Sequence, residues 1–183
     1  MRAALAFVLP RPSLARPLFR VAAAIRPLAR LLTRRLAAPF ALAPSSLPAV
    51  SSVDAPQVFA AQGARKMRVA LLSGCVQTVI DTSINEATIR LLTRHGVEVV
   101  VVKGAGCCGA LPHHLGKVDD SLRYARANID AWTREIDSDG LDHIVVNASG
   151  CGTSVKDYGH MFRNDPTLAD KAAHISAMTK DVT

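Results

Sequence analysis

Three short apolar runs constrain this chain more than any other feature. They are Arg68-Val-Ala-Leu-Leu-Ser73, Val97-Glu-Val-Val-Val-Val102 and His143-Ile-Val-Val-Asn147. Continuous Val-rich runs suit strands buried on both faces, the habit of parallel sheets. Segments of helical period stand between them. Ser83-Ile-Asn-Glu86 has capping-box spacing, and Ile84, Ala87, Leu91 and Leu92 form one stripe before Gly96. Leu122, Ala125, Ile129, Trp132 and Ile136 form the stripe of a longer helix that begins at Asp119 and ends at Gly140. Residues 148–152 read as a small-residue turn, with Thr153 or Ser154 capping a short helix to Phe162. Asp165-Pro166 reads as the opening of a last helix that carries Leu168, Ala172, Ile175 and Met178. The alternation predicts an α/β fold, a small parallel sheet with flanking helices.

Charge divides the chain at Met67. Residues 1–66 carry ten Lys and Arg against one acidic residue, Asp54. Residues 67–183 carry twelve against fourteen, so the formal charge of +7 belongs to the first part. All four Cys, all six His and the single Trp lie in the second part. Residues 1–66 therefore read as a basic Arg/Ala/Pro-rich connector and residues 67–183 as the α/β domain. Pro10, Pro12, Pro17, Pro27 and Pro39 cut the first segment, leaving room for short amphipathic helices such as 27–36. Residues 44–62 read as a linker. A connector lying on a neighbouring domain, an organelle transit peptide and a helix that touches an anionic membrane or acidic partner all suit such a segment. Nucleic acid does not, because no aromatic residue is interleaved with the arginines to stack bases. No apolar run of spanning length and no secretory pattern is read. The expected location is the cytoplasm, with attachment to the cytoplasmic face of a membrane as the extension.

The strand order gives the cysteines their meaning. Ligands of open α/β sheets gather outside the carboxyl ends of the strands. Cys75 follows the first run, Cys107 and Cys108 the second, and Cys151 the third. If the strands are parallel, four thiols meet at one edge. Their neighbours are small: Ser73-Gly74, Gly104-Ala-Gly106, Gly109, Ser149-Gly150 and Gly152. Glycine lets backbone amides approach a thiolate or bound cluster closely. Soft ligands with close donors suit a metal or iron–sulfur site. Several alternatives stand beside that reading. Free cysteines are often small core hydrophobes. Two disulfides are disfavoured by the adjacent pair and the lack of a secretory signal. Zinc is served by four Cys, or by three with His113 or His114, although close C-x-x-C pairs are missing. Gly104-x-Gly106-x-x-Gly109 matches a dinucleotide fingerprint, but Ala110 to Gly116, with Pro112, is read as loop where that motif needs a helix.

The stretches Leu72-Ser-Gly-Cys-Val-Gln77, Gly106-Cys-Cys-Gly-Ala-Leu111 and Asn147-Ala-Ser-Gly-Cys-Gly-Thr153 resemble the CCG cysteine-rich domain family. Within it, they are most similar to the iron–sulfur subunits of glycolate oxidases. The resemblance covers most of the chain. It implies an iron–sulfur cluster, expected as 4Fe-4S, on Cys75, Cys107, Cys108 and Cys151, with zinc as the alternative. It implies an electron-transfer component, not catalytic by itself, that works with flavin-containing glycolate oxidase subunits and passes electrons to the quinone pool. A non-catalytic scaffold with zinc or bare thiols is the rival. Two departures stand out. Cys151 has Ala148 and Ser154 at the positions where the wider family pattern, C-x-x-C, would place a second cysteine. The ferredoxin-like motifs and second CCG domain of the family are also missing, so the chain reads as a fragment. Lys103, Lys156 and the loop histidines are expected to tune the local field.

Overall fold

The computed structural model describes residues 2–27, 40 and 44–182. Two helices come first, α1 (Arg2–Val8) and α2 (Pro12–Ile25). Strand β1 (Gln57–Phe59) precedes β2 (Met67–Leu71), which leads into α3 (Gln77–Ile80) and α4 (Ser83–Arg94). Then come β3 (Val97–Val101), α5 (Ala110–His114) and α6 (Val118–Asp139). The chain closes through β4 (His143–Val146), α7 (Ser149–Lys156), α8 (Tyr158–Met161), α9 (Ala169–Met178) and β5 (Thr179–Asp181).

The three apolar runs form the centre of one sheet, in the order β1-β3-β2-β4-β5. The pairs β2–β3, β2–β4 and β4–β5 are parallel, as the Val-rich runs predict. β1 is an antiparallel edge on β3. It arises inside the stretch read as a linker, so residues before Met67 complete the sheet. Each central strand is buried on both faces. Ala70, Val100, Ile144 and Val146 meet α6 to α9 through Ile129, Trp132, Tyr158 and Ile175. Val69, Leu71, Val99 and Val145 meet α4 through Ile89 and Leu92. Full burial of each such aliphatic side chain contributes roughly 1.5–3 kcal/mol.

The stripes of α6 and α9 face inward as their period predicts. That of α4 does so only at Leu92. Ile84, Ala87 and Leu91 face solvent, and Leu91 is 49% exposed. The inward face carries Asn85, Thr88, Ile89 and Thr93. The reason is local: Asn85 bonds Asp54 and the Ser73 carbonyl, Thr88 accepts from Asn147, and Thr93 bonds back to the Ile89 carbonyl. The capping box is also replaced. Ser83 donates to Asp81 Oδ1, and Glu86 Oε1 accepts from Ser51 Oγ.

Three more boundaries differ from expectation. α2 runs through Pro17, whose ring lies on the exposed side, where water can take the carbonyl it leaves unpaired. The stretch 148–152 is the start of α7 rather than a turn. Thr153 and Ser154, read as caps, instead bond back to the carbonyls of Ser149 and Gly150. Asp165 Oδ1 accepts the Thr167 N–H at 3.0 Å, but α9 begins one turn later, at Ala169. The helix expected over 27–36 falls almost wholly outside the described residues.

Candidate metal centre

The loop after β2 carries Cys75, the loop after β3 carries Cys107 and Cys108, and α7, entered from β4, carries Cys151. All four line one cavity of about 420 Å³, with Gly74, Gly150, Ile80 and Leu111 among its other walls. Cys75, Cys107 and Cys108 are buried, and Cys151 is half-buried. The thiols stand next to one another in a row, Cys75 by Cys107, Cys107 by Cys108 and Cys108 by Cys151, and each perturbs its neighbour.

That row sets the charges. S–H bonds from Cys107 and then Cys151, with the Ala110 amide, hold Cys108 down to about 3. Cys75 is lowered chiefly by its bond from Cys107, helped by the Val76 amide. Cys107 and Cys151 are pushed up, Cys107 by its contacts with Cys108 and Cys75 and then by burial, Cys151 by its contact with Cys108 and then by burial. The charged form is thus favoured at Cys75 and Cys108 and disfavoured at Cys107 and Cys151.

Glycine and amide groups shape the walls. Gly109 sits at φ +87°, and a Cβ there would lie 2.8 Å from the Ser121 carbonyl oxygen. Its amide donates to Cys107 Sγ at 3.4 Å. Helix α5 follows it directly, where the sequence reading expected a loop, and its first amide faces the Cys108 sulfur. At Gly152 a Cβ would meet Asp181 Oδ1 at 2.5 Å, so a side chain there would push the exposed Asp181 carboxylate aside.

A shell of polar residues that sequence reasoning missed fixes the loops. Asn128 accepts the Gly106 amide at 2.8 Å and donates to the Cys107 carbonyl at 2.9 Å. Tyr158 donates to the Cys108 carbonyl at 2.8 Å. Burial raises the Tyr158 pKa, which keeps that donor protonated. Thr78 Oγ1 donates to the Cys75 carbonyl at 2.7 Å. Behind it, Asn85 Nδ2 donates to Asp54 and to the Ser73 carbonyl, while its Oδ1 accepts from Gln77 and Asn147. One signal was available: Asn128 interrupts the apolar face of α6 at helical spacing from Ala125 and Trp132.

The basic segment lies on this edge. α2 packs on α3 and α1 on α5. Arg16, 8% exposed, donates to the Thr78 carbonyl at 2.7 Å and the Pro48 carbonyl at 2.5 Å. The expected tuning residues are less engaged. Lys103 is exposed, Lys156 pairs with Asp181, and of the two adjacent histidines His114 reaches the thiol cavity.

The donor set fits an iron–sulfur cluster: four thiols on one cavity, small walls and amides aimed at sulfur. The row is open rather than closed around one point. Among the described residues no group of three or more His, Cys, Asp or Glu is arranged to hold a metal ion.

Residues 69–156 match the family described as "CCG: Cysteine-rich domain". This stretch is a cysteine-rich CCG domain. The chain is 38% identical over its whole length to the glycolate oxidase iron-sulfur subunit of Escherichia coli K12, covering 41% of that protein. It is 32% identical over 69% of its length to the "Probable glycolate oxidase iron-sulfur subunit" of Bacillus subtilis 168, covering 28% of it. Lactate utilization protein A of Bacillus subtilis 168 is 32% identical over 64% of the chain, and 47% of that protein is covered. The chain thus spans less than half the length of these relatives. No solved structure matches it. No described helix is long and apolar enough to cross a membrane.

Proposed function

We propose that this CCG domain holds an iron–sulfur cluster on Cys75, Cys107, Cys108 and Cys151, and serves as an electron carrier in a glycolate oxidase-type complex. The observation that carries the reading is the meeting of all four thiols in one cavity. When bound, the cluster supplies one-electron chemistry. The chain's own residues do the rest. The thiols bind. The amides of Gly109 and Ala110 donate to sulfur, and Asn128 and Tyr158 hold the Cys107-Cys108 loop in place. Helices α1 and α2 restrict water at the edge. The names of the relatives support an iron–sulfur subunit of an oxidoreductase; a flavin-containing subunit as electron source and a quinone-type acceptor as destination are the extension that the family resemblance implies. The exposed stripe Leu14, Leu18, Val21 and Ile25 on a segment rich in arginine supports seating on a partner subunit or an anionic membrane face, with a cytoplasmic location.

The test is anaerobic purification with iron and labile-sulfide assay and a visible spectrum. A brown protein with matched iron and sulfide is expected. Cys108→Ser should lose most of its iron while helix content stays near wild type. A colourless protein with stoichiometric zinc, or one with four titratable thiols and no metal, would overturn the cluster reading in favour of a scaffold.

A further inference from the structure

Helix α4 carries much of its hydrocarbon on the outside. Ile84, Ala87 and Leu91 form one exposed line, while Asn85, Thr88, Ile89 and Thr93 are buried beneath it. A surface helix normally turns such a line inward. Ile80, at the end of α3, is exposed too, and Ile80 and Ile84 both line the thiol cavity. The apolar line thus runs from the rim of that cavity for two turns along α4, about 10 Å.

Charge is sorted along the same helix. Asp81 and Glu86 stand at its start and Arg90 and Arg94 in its second half. Asp81, Arg90 and Arg94 are exposed. Asp81 Oδ1 takes the Ser83 amide and hydroxyl, which fixes the carboxylate beside the first turn. Glu86 is held by Ser51. Arg90 and Arg94 enter no ion pair among the described residues. The helix dipole favours this order of charges within one chain. It gives no reason for the apolar line between them.

We propose that this face binds a second copy of the chain, with the two α4 helices antiparallel about a two-fold axis near Ala87. Ile84 then meets Leu91 of the partner subunit, and the symmetry repeats the contact. The small Ala87 side chains face each other at the axis, where the helices come closest. Asp81 stands opposite Arg94 of the partner subunit, and Glu86 opposite Arg90 of the partner subunit. One register gives the apolar and the outer charged pairs together, because Asp81 precedes Ile84 by three residues and Arg94 follows Leu91 by three. A parallel pair would set like charges against like. An anionic surface would suit the arginines but oppose Asp81 and Glu86, whereas a second copy suits both. Since Ile80 and Ile84 border the thiol cavity, Leu91 of the partner subunit covers its apolar rim. The arrangement needs no cluster in the cavity.

The test is sedimentation velocity of the full chain, reduced and metal-free, over a range of concentrations. A helix pair of this length falls below the ~1,200 Å² of standard complexes, so a reversible dimer in the micromolar range is expected. Ala87→Glu sets two carboxylates at the axis and should abolish the dimer while helix content stays. Arg94→Glu should weaken it roughly tenfold, and Asp81→Lys added to Arg94→Glu should recover it, as mutual pairing requires. Leu18→Ser, on the exposed stripe of α2, should leave it unchanged. Iodoacetamide should label Cys151 more slowly in the dimer. A monomer at every concentration, a dimer that survives Ala87→Glu, or loss of the dimer in Leu18→Ser would overturn the surface. So would a double variant with intact helix content and no recovery. Equal labelling of monomer and dimer would overturn its place over the cavity.

Discussion

Helices α4 and α6 cover opposite faces of the same sheet, and they obey different rules. In α6 the apolar stripe turns inward and Trp132 is wholly buried. In α4 Ile84, Ala87 and Leu91 turn outward, and Asn85, 1% exposed, shares the inward face with Ile89 and Leu92. The difference lies in what each face must satisfy. α6 packs on Val100, Ile144 and Val146, which have no polar side chains to pair. The start of α4 stands over the loop that carries Cys75 and over Asn147 at the end of β4, where carbonyls and amides need partners. Hydrophobic periodicity finds the inner face of a helix only where that face meets hydrocarbon. Beside the cysteine-bearing edge the buried face of α4 is polar at Asn85 and Thr88.

Graded substitutions can break this comparison. Trp132→Ala should cost the most, about 3–5 kcal/mol by denaturant unfolding, because it opens a cavity in the α6 face. Asn85→Ala should cost about 1–3 kcal/mol, since it strands Asp54, the Ser73 carbonyl and Asn147. If Asn85→Ala proved neutral, the polar network would be an accessory rather than the packing face of α4. Arg16→Ala should release the cover formed by α1 and α2. Cys75 alkylation in the metal-free chain should then rise roughly tenfold with little change in global stability. The metal-free row should also hold charge far into acid. Cys108 lies near 3, below the ordinary thiol at about 8.5, so its thiolate should persist as pH falls until about 3. Ultraviolet thiolate absorbance across a pH series, with Cys108→Ser as the blank, measures that. Ile84→Ser and Leu91→Ser should change stability least, within about 0.5 kcal/mol. A large loss at Leu91 would restore the stripe that periodicity predicts.

Much of the fold was legible because its signals are local. Three Val-rich runs with helical segments between them specify a parallel sheet, and the Leu122 to Ile136 stripe specifies α6. β1 and β5 were not legible. Each is three residues long and exists only because a partner strand offers its edge. The meeting of the four cysteines was readable, since parallel strands must bring their following segments to one edge. The shell around them was not, because Asn128, Tyr158, Asn85 and Arg16 reach partners between 12 and 62 residues away for their key bonds.

The sequence by itself determined the strand order of chemistry: which loops bear thiols, and where the basic charge resides. Tertiary structure alone decided what that charge does. Arg16 finds the carbonyl of Thr78 only after α2 folds back onto α3. A buried carbonyl then takes the guanidinium because neither group has water left to turn to.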